Sequence, residues 1–142
     1  MKNIAYLLIL FSSIGCRKIV EESTTAIHIY QNNTNHDIEI SVSYVKRLDK
    51  VNIPAQQSYE GITQGEGGAR LLLEGDSAYI LFKDPDKYLI YTVTVDSNDI
   101  ISTGFFNQYN FEETIIFNSE KESKIKRVYT FTDADYESAT SL

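Results

Sequence analysis

The sequence predicts an all-β domain: an antiparallel β-sandwich of immunoglobulin-like architecture with a short C-terminal helix. Three observations carry that reading. From Ala26 onward, apolar and polar residues alternate with period two in short runs. Clusters of Asn, Asp, Gly, Ser and Pro punctuate those runs. A helix-start signal comes only near the C-terminus. Alternation gives each strand one dry and one wet face, so two sheets bury their dry faces against each other. A small closed barrel is the competing arrangement.

The chain begins MKNIAYLLILFSSIGC. Lys2 gives a positive start, residues 4–11 are apolar, and the small Ser12 and Ser13 follow. Counted to Ile14, the apolar stretch has eleven residues, whereas a helix crossing a bilayer needs about 20. Residues 1–15 therefore read as a signal peptide. Residues 17–25 (RKIVEESTT) are polar and aperiodic, so 16–25 read as a tether and 26–142 as the folded domain.

In the first strand Ile27 and Ile29 alternate with His28 and Tyr30, and Asn32-Asn33-Thr34-Asn35 turns the chain. Ile38, Ile40, Val42 and Tyr44 then alternate with Glu39, Ser41 and Ser43, a half-buried strand. Val51-Asn52-Ile53 runs into Pro54, which has no N–H for a ladder and puts this strand at an edge or an end. Residues 61–68 (GITQGEGG) read as a flexible loop and 71–73 as a short strand. Residues 78–82 and 88–95 (YLIYTVTV) read as a hairpin across the charged, Pro-containing turn at 83–87. Asp96-Ser97-Asn98-Asp99 is the next turn, and 100–101, 113–117 and 127–131 supply further strands. Residues 118–124 (NSEKESK) read as a solvated connection. The Thr132 hydroxyl can cap a helix over 133–139, whose first turn carries Asp133 and Asp135, and the tail then frays.

Composition bounds the function classes. The 142 residues make one domain, and 42% hydrophobic with 23% charged residues is a globular balance that excludes long disorder. Twenty acidic against thirteen basic side chains give −7, which argues against nucleic acid, whose phosphates need a basic face. One cysteine excludes a disulfide framework and any multi-thiolate metal site.

No catalytic, cofactor or metal residues emerge from the motifs. Gly75-Asp76-Ser77-Ala78 is similar to the Gly-Asp-Ser blocks of serine hydrolases, which require an imidazole base. The only histidines, His28 and His36, precede Ser77, and Tyr79 breaks Gly-x-Ser-x-Gly, so a turn entering a strand is the better reading. Neither Asp84 nor Asp96 starts an EF-hand loop, because the sixth and twelfth positions are wrong. His28 and His36 make no zinc spacing, and a lone His on the polar face of a strand reads as a surface residue. The loop glycines lack the Gly-Lys-Ser/Thr of a phosphate loop. Asn32-Asn33-Thr34 fits the eukaryotic N-glycan sequon, a short pattern that by itself carries little weight. Phe105, Phe106, Tyr109 and Phe111 cluster with Asn107, Gln108 and Asn110. Aromatics flanked by amides can stack on and hydrogen-bond a glycan; the other reading is core plus a loop tucked over its end.

Ser13-Ile14-Gly15-Cys16 resembles the lipobox of bacterial lipoproteins, with Ser13 where Leu is usual, as in the looser Bacteroidota-type versions. The whole chain resembles small lipoproteins of that group on NNTNHDIEISV, IPAQQSYEG, DSAYILF and YTFTDADYESA. The resemblance implies a diacylglyceryl group on Cys16, an outer-membrane location facing either side, and a β-sandwich with no known activity. Two or more acyl chains make anchoring effectively permanent. Asp76-Ser77-Ala78 also resembles the O-glycosylation motif of exported proteins of that group, making Ser77 a glycan candidate. The expected function is a membrane-anchored, non-catalytic binding or structural module with a glycan or envelope-protein partner and no cofactor. The alternative is an inhibitor or immunity-type protein acting through residues 61–68 or 105–111, and a small serine hydrolase ranks last.

Overall fold

The structure, a computed structural model, describes residues 23–44, 47–66, 70–83, 85–96 and 99–142. The expected signal peptide and Cys16 lie outside the described residues.

Ten strands and one helix follow in order: β1 (Ser23–Asn32), β2 (Ile38–Tyr44), β3 (Arg47–Ile53), β4 (Ser58–Glu66), β5 (Ser77–Phe82), β6 (Lys87–Asp96), β7 (Asp99–Ser102), β8 (Glu112–Asn118), β9 (Glu122–Phe131), α1 (Asp133–Ser138) and β10 (Thr140–Ser141). They form two sheets, one of order β4-β1-β9-β8 and one of order β10-β6-β5-β2-β3, with β7 paired to β6. This is the expected all-β sandwich with a short C-terminal helix. Pairing is antiparallel throughout the described strands except between β1 and β9, which run parallel over ten residues from Ser23↔Glu122 to Asn32↔Phe131.

The register gives the sandwich two distinct ends. The start of β1 (Ser23) lies beside the end of β4 (Glu66), the start of β9 and the end of β8. In the second sheet, Tyr44 opposite Arg47 and Ser43 opposite Ser77 share one end. The other end is fixed by Asn32 at the close of β1, whose side-chain amide donates to the Ile53 carbonyl at the close of β3 (3.0 Å). Tyr44, Leu48, Ser77 and the tip of the β6–β7 hairpin are therefore at the Ser23 end.

Between the sheets Ile38, Ile40 and Val42 from β2 and Ala78, Ile80 and Phe82 from β5 are buried, as the alternation requires. An aromatic group closes the core. Phe105 meets Tyr30 and Tyr91 edge-on with centroids 5.5 Å apart in each case, and Tyr129 meets Phe131 at 5.0 Å.

Several expectations need correction. In β1 the dry face is Ala26, His28, Tyr30 and Asn32, each with no exposed surface. Ile27 and Ile29 face outward, half-buried, in register with Ile62 and Val128. Tyr30 fills the aromatic core and its hydroxyl accepts the Leu73 N–H (3.3 Å), so the larger ring wins the inner face. His28 is a core residue, not the surface residue expected. Ser23, Thr24 and Thr25 belong to β1 and not to the tether. Residues 61–66 are the second half of β4, paired to β1 through Ser23↔Glu66. Residues 71–73 form no strand; Leu72 packs over Gly61 and Leu73 enters the core. The tail does not fray, since Thr140 and Ser141 add to β6. At α1 the expected cap forms as a reciprocal box: the Thr132 side chain accepts the Asp135 N–H, and the Asp135 carboxylate accepts the Thr132 N–H (2.7 Å) and hydroxyl (2.9 Å).

Candidate functional site

After β7 the chain makes two 3₁₀ turns, Gly104–Phe106 and Gln108–Asn110. Gly104 has φ +57°, and a Cβ there would run into the Tyr91 ring, so only glycine lets the loop lie this close to β6. The Asn107 side chain accepts the Tyr109 N–H (3.0 Å), and the Asn110 amide donates to the Gly104 carbonyl (2.8 Å). These bonds fix which rings go in and which go out. Phe105, Phe106 and Phe111 are buried at 0%, 7% and 7% exposure, while Tyr109 stands out at 86%. Of the four residues offered as a possible binding surface, three are core, in line with the other reading of a loop tucked over the end of the sandwich, and only Tyr109 is left outside.

Tyr109 borders a cleft of about 390 Å³ lined by Gln108, Tyr109, Phe111, Glu113 and Arg127. Glu113 and Arg127 are register partners on β8 and β9, with Arg127 Nε 2.9 Å from Glu113 Oε2. Arg127 lies on the inward row Ile125-Arg127-Tyr129-Phe131, next to His28 in the parallel pair. From that row the Arg127 side chain lines the cleft together with the Phe111 and Tyr109 rings, Gln108 and its partner Glu113.

Behind the cleft, the His28 ring meets Phe111 edge-on, centroids 6.1 Å apart. Its Nε2 is 2.9 Å from the Thr63 hydroxyl, which itself donates to the Arg70 carbonyl (2.8 Å). Burial first, and the Arg127 charge second, lower the pKa of His28 below the usual histidine value. The site thus has an aromatic ring on its rim, an amide, an ion pair and a neutral imidazole beneath it. A ring face, an amide and an ion pair side by side are groups that can stack on and hydrogen-bond a polar molecule.

The other residues singled out in the sequence lie elsewhere. Ser77 opens β5, half-buried, between Ser43 and Thr92. His36 lies past the opposite end of β5, its Nδ1 3.3 Å from the Lys83 carbonyl; five residue steps of strand separate Ser77 from Phe82, about 17 Å. The structure does not bring Ser77 to His36, and His28 is bonded in the other sheet. Asn32 of the sequon is fully buried, with its amide on backbone carbonyls. No group of three or more His, Cys, Asp or Glu fit for a metal occurs among the described residues, and no helix among them is long and apolar enough to cross a membrane. Of the two segments that were candidates under the alternative inhibitor reading, residues 61–66 are strand and 105–111 turn three rings inward.

Glu113 and Arg127 were not singled out by sequence. Both sit in expected strands, but cross-strand partners depend on a register that no local pattern encodes. A scan against protein-family models finds no match to this chain, and a search of curated proteins finds none either.

Proposed function

We propose that this chain is a lipoprotein of a bacterial outer membrane, held by acyl groups on Cys16, that binds a glycan non-catalytically at the Tyr109 cleft. The observation that carries the binding half is the Tyr109 ring, 86% exposed while its loop is held by backbone and amide bonds. An ordered, exposed aromatic beside Gln108 and the Glu113–Arg127 pair offers a sugar a stacking face and hydrogen-bonding groups at low entropic cost. The anchor half is supported by the leader and Ser13-Ile14-Gly15-Cys16.

The test uses the chain made with its own leader in a Gram-negative host. Mass spectrometry of the processed protein is expected to show acylation at residue 16. Titration with muropeptides and with lipopolysaccharide core oligosaccharide is expected to give saturable binding to one of them, reduced at least about tenfold by Tyr109→Ala. A water-soluble product without acyl mass sinks the anchor; binding to neither, or binding indifferent to Tyr109→Ala, sinks the glycan site.

A further inference from the structure

The exposed apolar side chains are not spread evenly over the domain. Of the twelve large ones among the described residues, eight lie at the Ser23 end. Val95, Ile100 and Ile101 occupy the tip of the β6–β7 hairpin, with Val95 paired to Ile100 and these two 76% and 73% exposed. Ile115, Ile116 and Phe117 occupy the last part of β8 and are at least half exposed. Tyr44 and Leu48 close the β2–β3 side of the same end.

Two features make this costly for a domain surrounded by water. β8 is an edge strand of its sheet, and an apolar edge invites pairing with other chains. The strand also carries a bulge between Ile115 and Phe117, which puts consecutive apolar side chains on its surface. A paired Val and Ile at a hairpin tip add apolar area that burial in an apolar medium would stabilise.

The chain itself indicates what covers this end. Seven residue steps lead from Cys16 to Ser23, and fully extended they reach at most about 25 Å. β1 therefore starts within that distance of any lipid on Cys16, at the apolar end. We propose that the Ser23 end of the sandwich docks on the lipid surface, with the β6–β7 tip and the end of β8 seated among the headgroups. This rests on the anchored reading above and adds an orientation to it. The net charge of −7 gives anionic lipids no electrostatic attraction, so the docking is apolar and works on zwitterionic bilayers.

The chain contains no tryptophan, so one introduced ring is a clean reporter. Val95→Trp and Ile100→Trp place it at the apolar end. Leu142→Trp, also at a position 73% exposed, places it at the C-terminus beside the start of β6, the opposite end. The processed, acylated protein is reconstituted into phosphatidylcholine vesicles with and without brominated acyl chains. The Val95→Trp and Ile100→Trp emissions are expected to shift blue on reconstitution and to be quenched about twofold or more by bromine, with Leu142→Trp unmoved. A chain that floats with the vesicles while all three reporters behave alike overturns the orientation and leaves the anchor standing. A chain with no acyl mass that does not float overturns both. Blue-shifted emission at residue 95 that is insensitive to bromine, with dimers in detergent, overturns lipid docking in favour of a second copy.

Discussion

His28 Nε2 lies 2.9 Å from the Thr63 hydroxyl, and that hydroxyl gives its one proton to the Arg70 carbonyl at 2.8 Å. The hydroxyl can then only accept from the ring, so Nε2 carries the hydrogen and Nδ1 is bare. Nδ1 is buried and meets no hydrogen-bond partner among the described residues. A neutral imidazole tolerates this; an imidazolium, next to Arg127, would place a second N–H in an apolar pocket.

That arrangement predicts a pH dependence. The pKa of His28 is lowered by burial and then by Arg127, below the 6.5 of the unfolded chain. As pH falls below 6.5, the unfolded state takes up the proton first, so stability rises with pH through this window and is fully present above it. The loss is expected to approach about 1.4 kcal/mol per pH unit until the folded value is reached. His28→Gln keeps a donor for Thr63 and removes the titration. Urea midpoints from pH 7 to 5 should fall more steeply for the wild type than for the variant; parallel curves would refute the assignment.

Asn32 ties three segments with one side chain. Its amide nitrogen donates to the carbonyls of His36 (2.8 Å), Ile53 (3.0 Å) and Pro54 (3.1 Å). Its oxygen accepts the Thr34 N–H (3.0 Å) and hydroxyl (2.8 Å). Asn32→Ala strands buried donors and acceptors and is expected to cost about 2–4 kcal/mol. Asn32→Asp should cost more at pH 7, because a buried carboxylate would face three carbonyl oxygens. Equal losses in chemical denaturation would show that the carbonyls find water instead.

Gly104 and Tyr91 share one space. With φ +57° and the ring against its α-carbon, residue 104 has room for a hydrogen only. Gly104→Ala combines backbone strain with overpacking and is expected to cost about 2–4 kcal/mol. The shift must also loosen the buried contact between the Tyr91 and Tyr129 hydroxyls, 3.1 Å apart. Thermal melts read the first effect, and the tyrosine side-chain NMR signals the second.

The run from Phe105 to Phe111 shows where sequence reading stops. Strands whose dry face is aliphatic were legible: Ile38, Ile40 and Val42 alternate with small polar residues, and their burial follows from period two. In β1 both faces are apolar or amphipathic, so the pattern alone could not tell which one turns inward. The 105–111 loop has no period at all. Which rings turn in is decided by Asn107, Asn110 and the positive φ of Gly104, and these act only once β6 is in place. The consequence is measurable: Phe105→Ala should cost about 3–5 kcal/mol and Tyr109→Ala less than about 0.5. Similar losses would mean that Tyr109 packs on the domain and is no free platform for a ligand.

The C-terminus gives the last prediction. Three residues, Thr140-Ser141-Leu142, are too few to show a period, and so they read as a fraying tail. They are held instead by a strand edge that only the folded domain supplies. Thr140 and Ser141 pair with Tyr88 and Lys87, and the Leu142 N–H donates to the Asp86 carbonyl (3.3 Å). α1 sets this up, since Tyr136 stacks on His36 at 3.8 Å and Lys87 Nζ lies 4.1 Å from the Tyr136 ring centroid. Ending the chain at Ala139 removes the ladder but leaves the ring contacts. The cost is expected to be about 1–2 kcal/mol, with faster amide exchange confined to the start of β6. Tyr136→Ala should instead release α1 and β10 together, because the ring is what positions the strand, and exchange should then rise at His36 as well. If truncation left exchange at residues 87 and 88 unchanged, the two-residue strand would have no part in holding the sheet.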